Sequence, residues 1–219
     1  NTGYAGPIEG VLSILGGSFV YEQTADAHIG SYTANNSTDA PVEGQFSIGA
    51  GTAPVSLAFG NLNVGYRVQA VSTAVGLIDF RANAGGTMSV GTALRTGMNG
   101  KPSVGGILLG TNWTLNVGSG SGTVAIGQGG NSVVSTGRVS FAKGGAFNAA
   151  LTDFAVGYGD GNSTGETHGE LLGGEGTSVD VVTKTFRVGS SPGNGKASGI
   201  VDFSASDGGA LSVTTSFRD

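Results

Sequence analysis

Polar and apolar side chains alternate along this chain in short runs. In Met88, Val90, Thr92 and Leu94, and again in Leu211, Val213, Thr215 and Phe217, alternate positions are mostly apolar, while Ser212, Thr214 and Ser216 between the latter are polar. Neighbouring side chains of a strand point to opposite faces, so a period of two predicts half-buried β-strands. No window of eleven or more residues sustains a helical period with caps, and each interior glycine costs a helix about 1 kcal/mol. Turn signals recur about every 8–12 residues, the spacing of an all-β sandwich or barrel.

The pattern also repeats over long range. Gly76 to Arg95 (GLIDFRANAGGTMSVGTALR) aligns with Gly199 to Arg218 (GIVDFSASDGGALSVTTSFR) at an offset of 123, with ten of twenty positions identical. Val55 to Tyr66 aligns with Phe147 to Tyr158 at an offset of 92, and Gly44 to Ile48 with Gly137 to Phe141 at 93. Fainter matches place Phe19 opposite Trp113 and Ile14 to Gly16 opposite Leu108 to Gly110, at 94. Conserved order across these blocks predicts an internal duplication: repeat one over 1–95 and repeat two over 96–219. The second carries an insertion of about 31 residues within 159–196. Two tandem β-sandwich or barrel-like repeats are the expected architecture. The alternative is one pseudo-symmetric sandwich or barrel built from both.

Within each repeat, Asn83-Ala-Gly-Gly and Ser206-Asp-Gly-Gly separate two alternating runs. Glycines that accept positive φ suit a tight turn, so Leu77 to Leu94 and Ile200 to Phe217 are expected to be equivalent β-hairpins. Asp79 and Asp202 lie between an apolar residue and Phe. They are read as outward-facing polar positions rather than a paired carboxylate site, with Arg95 and Arg218 as cross-hairpin partners.

Composition changes the picture in three ways. With 43 glycines and 5 prolines the chain approaches the range of disordered segments, yet its Val, Leu, Ile and Phe content suffices for a packed core. Charged residues are only 11% and the net charge is −5, so no basic face is offered to nucleic acid. No apolar run approaches the roughly 18 residues of a membrane helix, and membrane insertion is not expected. There is no cysteine, hence no disulfide framework and no thiolate metal site. The chain begins at Asn1 rather than Met, which fits either a recombinant start or a mature product after leader removal. Few Lys and Glu beside abundant Ser, Thr, Asn and Gly point to a secreted, extracellular or cell-surface setting.

Candidate chemistry is sparse. His28 and His168 occupy unmatched places, no serine sits in a nucleophile elbow, and Gly118 to Gly122 lacks the Lys-Ser/Thr ending of a phosphate loop. No enzymatic activity and no resident cofactor are therefore expected. The one constellation with ligand character is Asp160, Asn162 and Glu166, oxygen donors on a glycine-rich turn that are candidate calcium ligands. Ordinary turn chemistry accounts for the same residues. Asn35, Asn36, Asn112 and Asn162 head glycosylation sequons. Trp113, the single tryptophan, is expected in the core.

Two functional readings follow. The first is a structural subunit that associates with copies of itself into a fibre, pilus-like, surface-layer or virion assembly. The second is a secreted binding module for a glycan, small ligand or host protein, with the insertion of repeat two as its specificity element.

Overall fold

A computed structural model describes residues 8–31, 40–67, 72–99, 102–130, 134–160 and 164–218. Thirteen strands follow one another: β1 (Ile8–Glu22), β2 (Ala27–Ile29), β3 (Val42–Tyr66), β4 (Ala74–Phe80), β5 (Gly86–Met98), β6 (Ser103–Thr111), β7 (Trp113–Gly129), β8 (Ser135–Lys143), β9 (Ala146–Gly159), β10 (Glu166–Leu172), β11 (Ser178–Val188), β12 (Lys196–Asp202) and β13 (Gly208–Arg218). Every strand pairing is parallel. The strand order is β12-β10-β8-β6-β4-β3-β5-β7-β9-β11-β13, with β1 and β2 on β3. The chain thus coils into a parallel β-solenoid of about six turns.

The register shows why. Gly10, Gly44, Gly76, Gly105, Gly137, Gly169 and Gly199 stand on one another in a single column, so successive turns are 29 to 34 residues long. Two positions on, Leu12, Phe46, Ile78, Ile107, Val139, Leu171 and Val201 form an inward column that is apolar at every turn. Each such side chain fully withdrawn from water contributes about 1.5–3 kcal/mol, which is what drives one turn onto the next. An aromatic stack crosses the first four turns. Phe19 lies edge-on to Phe46 at 5.9 Å, Phe46 to Phe80 at 5.0 Å, and Phe80 stacks on Trp113 at 4.8 Å. Trp113 is fully buried, and Gly86 makes its room: a Cβ there would lie 2.9 Å from both the indole Cη2 and Val55 Cβ.

This architecture replaces the expected tandem sandwiches or barrels, and the pseudo-symmetric alternative with them. Alternation is the same in parallel and antiparallel sheets and does not say which strand is the neighbour. The neighbour here lies one turn away. The alignment offsets of 92–94 and 123 are three and four turns, as from Gly44 to Gly137 and from Gly76 to Gly199. The residues between 159 and 196 supply β10 and β11, which pair on both edges with adjacent turns.

The expected hairpins are also absent. β4 pairs with β3 and β6, and β5 with β3 and β7, but not with each other. Asn83 to Gly86 turns a corner between two faces instead. Asn83 is buried and its amide donates to the carbonyls of Gly49 (3.1 Å) and Thr52 (2.6 Å) at the corner one turn below, while its Oδ1 accepts from Gly85 N. Asn83-Ala-Gly-Gly is a tight bend, as its turn chemistry predicts, but it joins two faces of the solenoid rather than two paired strands.

Candidate functional site at the open ends of the solenoid

A second glycine column locks the turns together. Gly30, Gly65, Gly97, Gly127, Gly157 and Gly189 all have φ between 55° and 64°, the left-handed region that a side chain penalises. Each packs its backbone nitrogen against a glycine of the next turn, 2.1–2.5 Å from where a Cβ would stand on Gly44, Gly76, Gly105, Gly137, Gly169 or Gly199. Only glycine permits that approach on both sides of the seam. Gly10 heads the same column, and among the described residues nothing lies within 4 Å of the corresponding point.

That vacancy belongs to a wider feature. Among the described residues β1 pairs only with β3, β12 only with β10, and β13 only with β11, so both ends present backbone edges without partners. The inward columns do not stop before these ends. Leu12 is 50% exposed whereas Phe46, its neighbour one turn in, is 5% exposed; Leu211 is 46% exposed and its neighbour Val181 1%. At the N-terminal end Leu12, Phe19, Tyr21 and Ile29, backed by Phe46 and Ile78, line an apolar hollow of about 150 Å³. At the other end Val201, Phe203 and Val213 are only partly covered. Seven of the ten exposed large hydrophobics among the described residues lie on the first and last turns. Native sheets ordinarily guard such edges with charge, proline or a covering element.

Of the residues singled out from sequence, His28 lies on β2 of the first turn and Asp202 on β12 of the last. Asp160 follows β9, its backbone N donating to Gly129 O at 2.9 Å, and Glu166 opens β10 with Oε1 accepting from Lys196 Nζ at 3.0 Å. Asn162 lies outside the described residues. Among the described residues no three His, Asp or Glu side chains converge as a ligand set. His168 Nε2 meets Glu170 Oε1 at 3.1 Å on the outer face, with Arg138 Nε 3.4 Å from the same carboxylate. His28 Nδ1 lies 3.3 Å from Asn63 Nδ2.

Asp79 faces outward between inward Ile78 and Phe80, in one column with Asp202 four turns away. Turns are spaced about 4.8 Å apart, so the two carboxylates stand roughly 19 Å from each other and form no pair. Asp79 binds Arg81, not Arg95: its carboxylate accepts from Arg81 NH2 (2.6 Å), Nε (2.9 Å) and backbone N (3.1 Å). The Arg81 hydrogen bonds hold the Asp79 carboxyl below its ordinary range. Asp202 is lowered by the backbone N–H of Ser204. Arg95 instead donates to Asn63 Oδ1 at 3.1 Å. Of the sequons, Asn112 is exposed at a corner with φ 56°, and Asn35, Asn36 and Asn162 lie outside the described residues.

Sequence reasoning missed the open ends, although Val11 to Leu15 was visible as an apolar run. The missing signal was the recurrence of glycine at single-turn spacing, which identifies the stacking axis and therefore its two ends. Comparison with family models, curated proteins and solved structures finds no match to this chain.

Proposed function

We propose that the chain is a structural subunit of an extracellular or surface assembly, a fibre or layer built by association with copies of itself. The observation that carries this reading is the parallel solenoid itself: one glycine seam and one apolar column repeat from turn to turn along a single axis, a repetitive scaffold compatible with a surface protein. Low charge supports the same reading: with charged residues at 11%, subunits approach one another with little repulsion. Electron microscopy and light scattering over a range of concentrations and salt are the test. Elongated polymers are expected; a monomer under every condition overturns the reading.

A further inference from the structure

We propose that a cleft on the lateral surface of the solenoid, running across the second, third and fourth turns, binds a neutral oligosaccharide. The cleft follows the line of bulges along one side of the coil, where the register slips between Phe59 and Asn61, between Val90 and Ala93, and between Val117 and Gly122. It measures about 620 Å³, inside the roughly 300–1,000 Å³ of ligand pockets. It opens sideways from the stacking axis, and the segments that flank it, 49–67, 81–98 and 111–130, are described throughout. The site is independent of the assembly reading.

The lining selects the chemistry of the ligand. Ser89, Thr92 and Asn116 present hydroxyls and an amide, with Gln23 and Thr24 on the side of the first turn. Among the described residues no lysine or arginine lines the cleft, so an anion entering it would lose water without a compensating charge. Glu22 is the one charged lining residue, and its Oε1 already accepts from Ser56 Oγ at 2.7 Å. Sugar hydroxyls both donate and accept, as amide and hydroxyl side chains do. Hydrogen bonds give this wall a direction: Asn148 Nδ2 donates to Asn116 Oδ1 at 3.0 Å, and Asn116 Nδ2 to Ser89 Oγ at 3.5 Å. Ser89 Oγ thus accepts from within the protein, and its own O–H is free to donate to a ligand. Turns are about 4.8 Å apart, close to the length of one sugar ring, so a linear chain lying along the axis meets about one turn per ring.

Gly91, at the middle of the cleft, is a second and separate observation. Gly60 and Gly118 have backbone reasons to be glycine: a Cβ on Gly60 would stand 2.1 Å from Thr24 O, and Gly118 has φ 74°. Gly91 has neither. It is exposed, its φ lies outside the left-handed region, and the atom nearest to a Cβ there, Phe59 O, is at 3.6 Å, an ordinary contact. Glycine at this position keeps the cleft open where a side chain would fill it.

Gly91→Gln therefore blocks the cleft without backbone conflict and supplies the test. Maltohexaose, cellohexaose and mannohexaose are titrated by calorimetry against the parent chain, with the anionic hexagalacturonate as the contrast. At least one neutral hexaose is expected to bind with a dissociation constant below about 1 mM, and hexagalacturonate to bind at least tenfold more weakly. Gly91→Gln is expected to abolish binding and Asn116→Ala to weaken it about tenfold, the loss of a ligand hydrogen bond, both with melting temperatures unchanged. Asp180→Ala, in the same outward column beyond the cleft, is expected to bind as the parent does. If Gly91→Gln melts early, Thr92→Ala and Asn116→Ala carry the test in its place. Failure of all three neutral hexaoses to bind, binding that survives these variants, or a preference for hexagalacturonate overturns the site. None of these results bears on polymer formation, which light scattering reads separately.

Discussion

The interior turns and the end turns of this solenoid are built from the same columns and differ only in what covers them. Gly137 and Gly10 occupy one column, as do Val181 and Leu211, but the interior members are enclosed by a neighbour on each side and the end members are not. A glycine or an apolar side chain thus has a structural reason in the interior that it lacks at the end.

The seam offers the sharpest way to break this contrast. A Cβ on Gly137 would stand 2.1 Å from Gly127 N and 2.5 Å from Thr96 O, backbone atoms that cannot move without parting two turns. Gly137→Ala is expected to cost more than about 3 kcal/mol or to prevent folding, a loss of the size reserved for core overpacking and backbone conflict. Gly10→Ala in the isolated monomer is expected to stay within about 0.5 kcal/mol, the range of ordinary surface substitutions. Denaturant midpoints of the two variants decide the matter. Equal losses would show that the end turn is as constrained as the interior.

Truncation of large side chains should follow the same division. Trp113 is fully buried against Phe80, so Trp113→Ala is expected to destabilise by about 3–5 kcal/mol. Leu12→Ala, at a half-exposed position, should cost less than about 1.5 kcal/mol. Thermal melting at low protein concentration measures both without interference from assembly.

The alternation that defines each strand, the bends at Asn83 and Ser206, and the buried place of Trp113 were all legible in the sequence. The stacking was not, and the reason lies in what each position must satisfy. An outward position is nearly free: the column through Asp79 reads Ser13, Ser47, Asp79, Leu108, Ser140, Leu172 and Asp202. An inward position needs only to be apolar. Adjacent turns therefore look dissimilar, and the strongest likeness surfaces between turns that happen to agree outside as well, four turns apart. From the second turn onward glycine at the seam is the one choice enforced at each turn, and in a chain with 43 glycines that signal is submerged. The calcium candidates rest on local spacing alone: Glu166 accepts from Lys196 Nζ, and Asn162 lies outside the described residues.

Corners extend the comparison at smaller cost. Asn83 and Ser206 hold equivalent places, each donating its backbone N to the carbonyl three residues earlier, Phe80 at 3.0 Å and Phe203 at 2.9 Å. Asn83 reaches down to Gly49 and Thr52, whereas Ser206 Oγ is buried with no hydrogen-bond partner. Asn83→Ala is expected to cost about 1–3 kcal/mol, because it strands buried carbonyls. Ser206→Ala should be neutral or slightly stabilising, since an unpaired hydroxyl is removed from a buried place. Chemical denaturation of the two variants against the parent is the measurement.

The smallest expected effect separates the two aspartates of the outer column. Asp79 is gripped by the Arg81 guanidinium and backbone, while Asp202 accepts from the backbone N of Ser204. The folded-state value of Asp79 lies below its ordinary 3.8. The ion pair therefore contributes fully above that ordinary value, and its contribution is lost as pH falls through the lower folded-state value. Because Arg81 is largely exposed, water screens the pair and its contribution is small. Asp79→Asn should lower stability slightly at pH 7 and converge with the parent as the pH drops below 3.8. A stability difference that widens in acid would show that the Asp79 carboxylate is held by something other than Arg81.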